Sequence, residues 1–320
     1  MSITDRGWWL RWRKLAHDVQ GYLVGNADFT FVENALNTWH YPLDLEFTLR
    51  DPGFYFAPRD AEGLPIRLYR SVGIQYNPTR IAAYALAHYN RYLRTQVEES
   101  RAQFLKAAEW FMRSPEGLWW YTYPWQDLQA PWLSAMAQGE GISVLVRAWV
   151  LTHEVRYLDQ ARRALIPFAQ SIEAGGVRST LEDGCPFLEE YPSSSPVHVL
   201  NGFLYALIGL ADLHRVAPEM TDSIGLDDFL NTLEHHIEAW DAGFWSLYDL
   251  SHLYKGRRNF TTVSYHNLHI SQLSFLGHLF RRPHLMQVAT RWTEYAHHMS
   301  NRLRAFWGKV RYRLQEPAQR

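Results

Sequence analysis

The sequence predicts a mainly helical protein that carries a small extended arm at its amino-terminal end. Beyond residue 77, apolar side chains recur at spacings of three and four, which is the period of a helix with one buried face. Before that point, chain breakers are frequent and short runs of aromatic and β-branched residues replace the helical period. We therefore expect two units, an arm with short strands over residues 1–75 and a helical domain over residues 76–320.

Three short runs predict the extended pieces of the arm. They are Phe29-Thr30-Phe31-Val32, Phe47-Thr48-Leu49 and Phe54-Tyr55-Phe56. Because aromatic and β-branched side chains favour strands, we expect a few short strands or a wrapping extended segment here, with little helix.

The first fifteen residues combine tryptophans with positive charge. Trp8, Trp9 and Leu10 are flanked by arginines and a lysine, which makes this stretch too short and too charged for a signal or transmembrane segment. We expect a helix that docks its tryptophans on the body of the protein, with membrane contact as the alternative. The corresponding expectations are no integral membrane segment and a cytoplasmic location.

Paired helices are expected to build the second unit. Asn77-Pro78 predicts a turn, with Thr79 as the cap of the helix that follows. The same periodic pattern predicts further helices over residues 97–113, 131–152, 154–172, 199–214, 226–240, 266–280 and 284–307. Their short connections indicate antiparallel pairs, which can bury themselves as a bundle, a solenoid or a closed ring.

Charge and cysteine content narrow the classes of partner. Acidic and basic residues number 33 and 32, so no overall field draws the chain to nucleic acid or to an anionic membrane. Attraction to a polyanion therefore has to be local. Cys185 is the single cysteine, which excludes an intrachain disulfide. The sequence is compatible with a homodimer but does not set the oligomeric state.

The sequence lacks a recognised motif for metal or cofactor chemistry. Three histidine pairs each offer two ligands, without a third ligand in an arrangement such as H-E-x-x-H: His235 with His236, His266 with His269, and His297 with His298. Glycine-rich phosphate loops and a nucleophile elbow are also missing from the sequence. We therefore expect acid–base chemistry with no metal and no cofactor.

A carboxylate pair and a phenol stand together in the segment Glu189-Glu190-Tyr191-Pro192. Pro192 and Pro196 exclude helix around the intervening serines, whereas residues 199–213 have the length and continuous apolarity of a buried helix. These side chains are therefore expected on a loop at the mouth of a core helix, where catalytic groups are often found. A surface turn with a capping tyrosine is the alternative.

Aromatic residues form 15% of the chain and cluster in the turn-rich segment 119–132. The apolar faces of sugar rings stack on aromatic planes, so such a cluster suits a carbohydrate groove. Most of the fourteen tryptophans are expected in the core, but those of segment 119–132 are expected to contact a ligand, with Trp120 and Trp125 as the candidate binding residues.

Four motifs together resemble the C-terminal catalytic domain of the D-glucuronyl C5-epimerases. Their order and spacing follow the family pattern over about residues 75–292. The motifs are Ser134-Ala135-Met136-Ala137-Gln138-Gly139-Glu140; Glu189-Glu190-Tyr191-Pro192 followed by Val199-Leu200-Asn201-Gly202-Phe203; Tyr248-Asp249-Leu250; and Tyr265-His266-Asn267-Leu268-His269-Ile270-Ser271-Gln272-Leu273.

The resemblance implies an (α/α) toroid-like barrel of helical hairpins whose loops line a groove at one end. Gathering the motifs at one groove requires loops 115–132, 187–196 and 243–265 to share that end of the domain. The resemblance also implies an acidic polysaccharide as the substrate. The implied catalytic residues are Tyr191, Tyr248, Tyr265 and Glu190, and the implied substrate-binding residues are Asn201, His266, His269 and Gln138, together with Trp120 and Trp125.

Inversion at C5 of a uronic acid explains why these residue types are needed. A proton leaves the carbon next to the carboxylate and another returns on the opposite ring face, so two groups must straddle the ring. A tyrosine serves when nearby cations or hydrogen bonds lower the pKa of its phenol. Glu190 can assist when burial keeps it protonated, since it then donates a hydrogen bond to the substrate carboxylate.

One position departs from the family pattern. Ser251 stands where the family is expected to have an arginine that contacts the sugar carboxylate or lowers the pKa of a tyrosine. Arg257 or Arg258 could replace it. Without such a replacement, substrate recognition differs from that of the animal heparan enzymes, and a sulfated glycan is not implied.

Three other functions stay open at the level of sequence. A uronate lyase shares the first proton abstraction and then expels the C4 oxygen. An inverting glycosidase is less favoured, because it needs two opposed carboxylates and the best-matched motifs centre on tyrosines. A carbohydrate-binding toroid without catalysis would bind glycan and leave the C5 hydrogen in place.

Overall fold

A computed structural model describes residues 13, 16–69 and 71–316 of the 320-residue chain, and this described part is mainly helical. The predicted docking of Trp8 and Trp9 lies outside the described residues. None of the described helices is both long and apolar enough to cross a lipid bilayer.

The helices and strands follow one another along the chain with short connections. Helix α1 includes residues 16–24. The other helices are α2 Phe47–Arg50, α3 Pro52–Tyr55, α4 Pro78–Thr95, α5 Glu98–Met112, α6 Ala135–Thr152, α7 Val155–Arg163, α8 Ile166–Ala169, α9 Leu200–His214, α10 Pro218–Asp222, α11 Leu226–His236, α12 His252–Lys255, α13 Val263–Leu279, α14 Pro283–His297 and α15 Met299–Gln315. Single 3-10 turns occupy Glu33–Leu36, Ile172–Ala174 and Ile237–Trp240. Two antiparallel hairpins pair β1 Arg67–Tyr69 with β2 Gly73–Gln75, and β3 Arg178–Thr180 with β4 Pro186–Leu188.

Helix α4 begins one residue before the predicted cap. Asn77 is the N-cap, because its Oδ1 accepts the backbone N–H of Arg80 at 3.1 Å, and Pro78 occupies the first helical turn. Thr79 instead donates its hydroxyl to Asn77 Oδ1 at 2.7 Å.

The prediction of extended structure in the arm was wrong for two of the three runs. Phe47–Arg50 and Pro52–Tyr55 are short helices. Asp51 explains the second of them, since its Oδ1 accepts the N–H of Phe54 at 3.2 Å and a proline follows it. Phe31 does pair with Leu43 in an isolated antiparallel bridge. Local capping therefore outweighs the strand preference of the aromatic residues.

Four helices of the second unit pack side by side in the order α4, α6, α9 and α13. Each has a partner that packs on it, with α5 on α4, α7 on α6, α10 and α11 on α9, and α14 on α13. Helix α9 is buried at every position from Leu200 to Leu213, as its unbroken apolar sequence predicts. The series therefore forms an inner layer covered by outer helices.

Glycines bring α6 and α9 into close contact. A Cβ atom at Gly139 would lie 2.5 Å from the Cα of Ala206, and one at Gly209 would lie 2.1 Å from the carbonyl oxygen of Gly139. Real side chains do not tolerate such distances, so the small residues of both sequences are required by the packing. This contact fixes the two helices relative to each other.

Helices α6, α9 and α13 begin at the same end of the molecule. The N–H of Ala135, at the start of α6, donates to the carbonyl oxygen of Glu189 at 2.9 Å, and that of Leu200 donates to Tyr248 at 3.0 Å. Tyr265 lies in the first turn of α13, next to Tyr248. Since Trp132 also contacts Tyr191, the expected gathering of loops 115–132, 187–196 and 243–265 is confirmed.

The arm crosses the inner helices and shares their hydrophobic core. Asn90 of α4 accepts the N–H of Tyr41 at 2.7 Å, and Ser271 of α13 donates to the carbonyl oxygen of Phe29 at 2.6 Å. The arm thus connects the first and last helices of the inner layer. The domain boundary near residue 75 stays a prediction.

Candidate active site

Three tyrosines from distant parts of the sequence meet at the end where the inner helices begin. Tyr191 and Tyr248 are hydrogen-bonded to each other, and the ring of Tyr248 meets that of Tyr265 edge to face at 5.7 Å between centroids. Tyr191 and Tyr248 are half-buried, whereas Tyr265 is 37% exposed. The cluster is therefore open to solvent on the Tyr265 side.

The carboxyl of Glu190 lies buried next to this tyrosine cluster. It accepts hydrogen bonds from the Tyr191 hydroxyl and from Nδ2 of Asn201, the latter at 3.4 Å. Burial raises the pKa of Glu190 to about 7, although the two hydrogen bonds act in the opposite direction. The protonated and ionised forms are therefore both present near neutral pH.

A glycine on α9 makes room for this carboxyl. A Cβ atom at Gly202 would lie 2.4 Å from the Cβ of Glu190 and 2.7 Å from its Oε2. The side chain of Glu190 therefore packs directly on the backbone of α9, beside Asn201. This packing removes water from the carboxyl and is a cause of its raised pKa.

The hydroxyls of Tyr191 and Tyr248 are neutral in this environment. Burial raises the pKa of both Tyr191 and Tyr248 well above the ordinary value of a phenol, and the nearby carboxyl of Glu190 raises both further. This is the opposite of the lowered pKa that would make a phenolate accessible. A tyrosine that removes a proton here therefore has to pass its own proton on.

A lysine of the last helix stands behind Tyr248. Nζ of Lys309, on α15, lies 5.7 Å from the centre of the Tyr248 ring and donates to Oδ1 of Asn259 at 2.8 Å. Asn259 in turn donates to Oδ2 of Asp249 at 2.6 Å, and Ser251 donates its hydroxyl to Oδ1 of the same carboxylate at 2.5 Å. The segment of Tyr248 is thereby tied to α15, which brings a positive charge to it.

Both arginines expected to replace the missing arginine lie on the surface. Arg257 forms an ion pair with Glu316 at 3.3 Å, and Arg258 is exposed. Lys309 was missed by the sequence reasoning because no local motif marks it. Its position follows from the packing of α15, where a Cβ atom at Gly308 would lie 2.5 Å from the ring of Phe260.

The other carboxylate of the pair, Glu189, has a structural role. Glu189 is almost fully buried, and its Oε1 accepts the hydroxyl of Ser179 and contacts Nδ1 of His198, both at 2.6 Å. These contacts anchor the loop to β3 and to the segment that precedes α9. Of the two adjacent glutamates, Glu190 is thus the one that contacts the tyrosines.

The histidines of α13 hold the segment that carries Tyr248. Nδ1 of His266 accepts the backbone N–H of Ser246 at 3.2 Å, its Nε2 contacts the carbonyl oxygen of Trp292 at 2.9 Å, and its ring stacks on Trp245 at 3.8 Å. Burial lowers the pKa of His266 to about 4 and that of His269 well below its ordinary value. Both rings are fully buried and neutral, so they support the site from behind.

Gln138 supports the aromatic segment. Its side chain is fully buried, its Oε1 accepts the N–H of Trp119 at 2.9 Å, and its Nε2 donates to the carbonyl oxygen of Gly117 at 2.9 Å. Both amide atoms thus bind backbone groups.

The aromatic segment forms a wall beside Tyr191. Trp132 stacks on Tyr121 with a centroid distance of 4.1 Å and an angle of 7°, and its ring centre lies 6.0 Å from that of Tyr191. Trp125 is half-buried and meets Tyr69 edge to face at 6.2 Å, while Trp120 is 38% exposed. Trp132 belongs to the same predicted segment, and its ring contacts Tyr191 of the tyrosine cluster.

Comparison with known proteins identifies the family of this chain. The family model for the D-glucuronyl C5-epimerase C-terminus matches residues 114–294, a span that contains all three tyrosines and Glu190. Because this span is more than half of the chain, the protein belongs to the D-glucuronyl C5-epimerase C-terminal family. Lys309 and α15 lie beyond the matched residues.

Two curated relatives give the extent of the similarity. A D-glucuronyl C5-epimerase of Caenorhabditis elegans is 31% identical over 224 residues. The match covers 62% of this chain and 36% of the worm protein. An uncharacterized protein of Methanocaldococcus jannaschii is 28% identical over 132 residues, which are 40% of this chain and 43% of that protein. The matched regions thus span less than half the length of either relative.

Proposed function

We propose that this chain is an epimerase that inverts C5 of a uronic acid unit, of the D-glucuronate to L-iduronate type, within an acidic polysaccharide. The observation that carries the proposal is the convergence of Tyr191, Tyr248, Tyr265 and Glu190 at one end of the inner helices. Two phenols on different sides of a small space are what removal and return of a proton at one carbon require. Membership of the epimerase family supports the same reaction.

The helical unit is proposed to be an incomplete α/α toroid. The side-by-side order α4, α6, α9 and α13, each with an outer partner, supports such a curved double layer. The arm, which contacts both α4 and α13, would then span the opening between them. The tyrosines would lie at the end of the barrel where loops form a groove.

Proton removal is proposed to run through Tyr191 to Glu190. As the phenolic oxygen of Tyr191 takes the proton from C5, its own proton moves to the ionised Glu190 carboxylate to which it is hydrogen-bonded. The C5–H electron pair enters the substrate carboxylate, which becomes an enediolate. A carboxyl with a pKa of about 7 suits this step, because its ionised form is available at neutral pH and its affinity for the proton is higher than that of an ordinary glutamate.

Proton return is assigned to the other side of the cluster. Because Tyr248 is hydrogen-bonded to Tyr191, donation to C5 on the opposite face is assigned to the hydroxyl of Tyr265, the most exposed of the three phenols. The electron pair of the enediolate then forms the new C5–H bond. Exchange of protons with solvent restores the neutral phenol and the Glu190 carboxylate before the next turnover.

Charge stabilisation of the enediolate is assigned to Lys309. Its amine lies near the ring of Tyr248 and is held by Asn259, so its field favours negative charge at this end of the site. The role derived from sequence, in which a protonated Glu190 donates to the substrate carboxylate, requires the other protonation state of Glu190. The two roles of Glu190 therefore predict that the rate of proton exchange changes in opposite directions as the pH rises.

The polysaccharide is proposed to pass Trp120, which is 38% exposed, whereas Tyr121 and Trp132 are buried and support the aromatic segment from within. The exposed ring of Trp120 offers an apolar plane for a sugar face, and the near balance of charge confines attraction to the groove. A sulfated glycan is not required by these residues. The homodimer and the cytoplasmic location stay predictions from sequence.

Product analysis tests the proposed reaction. Incubation with uronate polysaccharides should change the ratio of the two C5 epimers while chain length stays constant. Formation of ultraviolet-absorbing unsaturated uronides with shorter chains would identify a lyase instead. Binding of the glycan with no change in its composition would identify a binding module.

A further inference from the structure

Three side chains of the kinds that bind metal ions converge outside the tyrosine cluster. Asp183 and Cys185 lie in the turn between β3 and β4, and His236 is the last residue of α11. Oδ2 of Asp183 lies 3.4 Å from Sγ of Cys185 and 3.0 Å from Nε2 of His236, and all three atoms lie within 4.8 Å of one another. Neither the tyrosine cluster nor the proposed reaction uses them.

The spacing of these atoms is close to that of a tetrahedral zinc site. Zinc bonds of about 2.0 Å to oxygen and nitrogen and about 2.3 Å to sulfur place neighbouring ligand atoms roughly 3.3–3.8 Å apart. The two measured separations from Asp183 are 3.0 Å and 3.4 Å. Small side-chain rotations would therefore bring the three atoms to bonding distance of one ion, without movement of the backbone.

The backbone already holds the turn in a suitable shape. The N–H of Cys185 donates to Oδ1 of Asp183 at 3.1 Å, which leaves Oδ2 directed toward the thiol and the imidazole. Gly184 has a φ of +86°, which a side chain would rarely adopt, and it lets the turn place residues 183 and 185 on the same side. Helix α11 packs against β4, so His236 is brought to this turn by the fold.

We propose that Asp183, Cys185 and His236 bind a divalent ion of the zinc class, with water completing its coordination. A thiolate, an imidazole and a carboxylate form a mixed ligand set that suits zinc better than magnesium or calcium, which prefer oxygen ligands only. On binding, the S–H bond of Cys185 breaks, the sulfur bonds to the metal, and the proton passes to solvent. The search for histidine pairs in the sequence missed this set, because His236 lies about fifty residues from Asp183 and Cys185.

Such an ion would clamp the hairpin that leads into the active site. Strand β4, Pro186–Leu188, lies between Cys185 and Glu189, and Glu190 and Tyr191 follow. A metal bond from the turn to α11 would tie both ends of this short strand, one by the ion and the other by the buried contacts of Glu189. The ion thus stabilises the loop and does not touch the reacting atoms.

Titration of the metal-free full chain with cobalt(II) and then zinc(II) tests the site. We expect the chain to bind one equivalent of cobalt, with a thiolate-to-metal charge-transfer absorption. Zinc should displace the cobalt, and metal binding should release about one proton from the thiol. Cys185→Ser should abolish the absorption, and Asp183→Asn or His236→Ala should weaken binding by about tenfold or more. Because protons compete for the sulfur and the imidazole, binding should weaken as the pH falls.

His235→Ala is the matched control. His235 occupies the preceding position on α11 but is exposed, with Nδ1 against the carbonyl oxygen of Asn231 at 2.8 Å, so its loss should leave metal affinity unchanged. Circular dichroism confirms that each variant is folded. Failure of the folded wild-type chain to bind cobalt or zinc at micromolar concentration would overturn the proposal, as would equal binding by Cys185→Ser. Neither result depends on the epimerase activity, so this inference and the proposed reaction can fail separately.

Discussion

Glu190 is the residue whose protonation state decides between the two accounts of proton transfer. It is buried on the backbone of Gly202 and accepts hydrogen bonds from Tyr191 and Asn201. Burial raises its pKa from the ordinary 4.5 to about 7. A folded-state pKa above the unfolded value also means that the protein loses stability as the pH rises between these two values.

We predict that proton exchange at C5 in the wild-type enzyme rises with pH through about 7, because the ionised Glu190 is the proton acceptor of Tyr191. Glu190→Gln keeps the shape of the side chain but accepts no proton, so its rate should fall by roughly 10²-fold or more and lose this rise. Its stability should also lose the corresponding pH dependence. If exchange instead falls as pH rises through 7 and survives in Glu190→Gln, the protonated carboxyl acts as a donor to the substrate.

The two phenols at the ends of the cluster should be far more important than the residues that hold them. Tyr191→Phe and Tyr265→Phe keep the ring and its packing and remove the hydroxyl alone. Loss of an acid or a base typically costs about 10²- to 10⁴-fold in rate, so we expect both variants to remain folded and to fall by that factor. Tyr121→Phe, one stacking contact removed from the cluster, is a control in which near wild-type turnover is expected. Near wild-type turnover in both Tyr191→Phe and Tyr265→Phe would rule out tyrosine-mediated transfer.

At the level of elements, the sequence predicts the long buried helices well. The predicted spans 97–113 and 199–214 correspond to Glu98–Met112 and Leu200–His214, because continuous helical periodicity reports a buried face directly. The span 284–307 was predicted as one helix, but the chain leaves the helical conformation at His298 and divides it into α14 and α15. Neither proline nor glycine marks that break, so the local sequence offers no signal for it.

Helix α15 is predicted to complete the active site although it lies outside the family match. Lys309→Gln removes the charge beside Tyr248, and since hydrogen bonds to charged groups contribute about 1.5–3 kcal/mol, turnover should fall on the order of tenfold or more. Lys309→Arg should retain part of the activity. Arg311→Gln removes an exposed charge from the same helix and serves as the control. Equal effects of Lys309→Gln and Arg311→Gln on turnover, measured at constant ionic strength, would exclude a specific role for Lys309.

At the level of the whole molecule, the site depends on packing that periodicity does not encode. The motif residues Tyr191, Tyr248 and Tyr265 could be selected from the sequence because the family pattern marks them. The burial that keeps the phenols of Tyr191 and Tyr248 neutral, and the position of Lys309 near the Tyr248 ring, follow from contacts between elements far apart in sequence. Contacts between distant elements also bury His266, His269 and Gln138, three residues for which the resemblance implies substrate binding.

Exchange of the C5 hydrogen with solvent is the most direct test of the central claim. The full chain is incubated with uronate polysaccharides in deuterated water, and deuterium at C5 is followed by NMR. Proton removal by Tyr191 and return by Tyr265 predicts label at C5 in both epimers, intact chain length, and loss of labelling in Tyr191→Phe. Turnover of the glycan without label at C5, or binding without any exchange, would contradict the account.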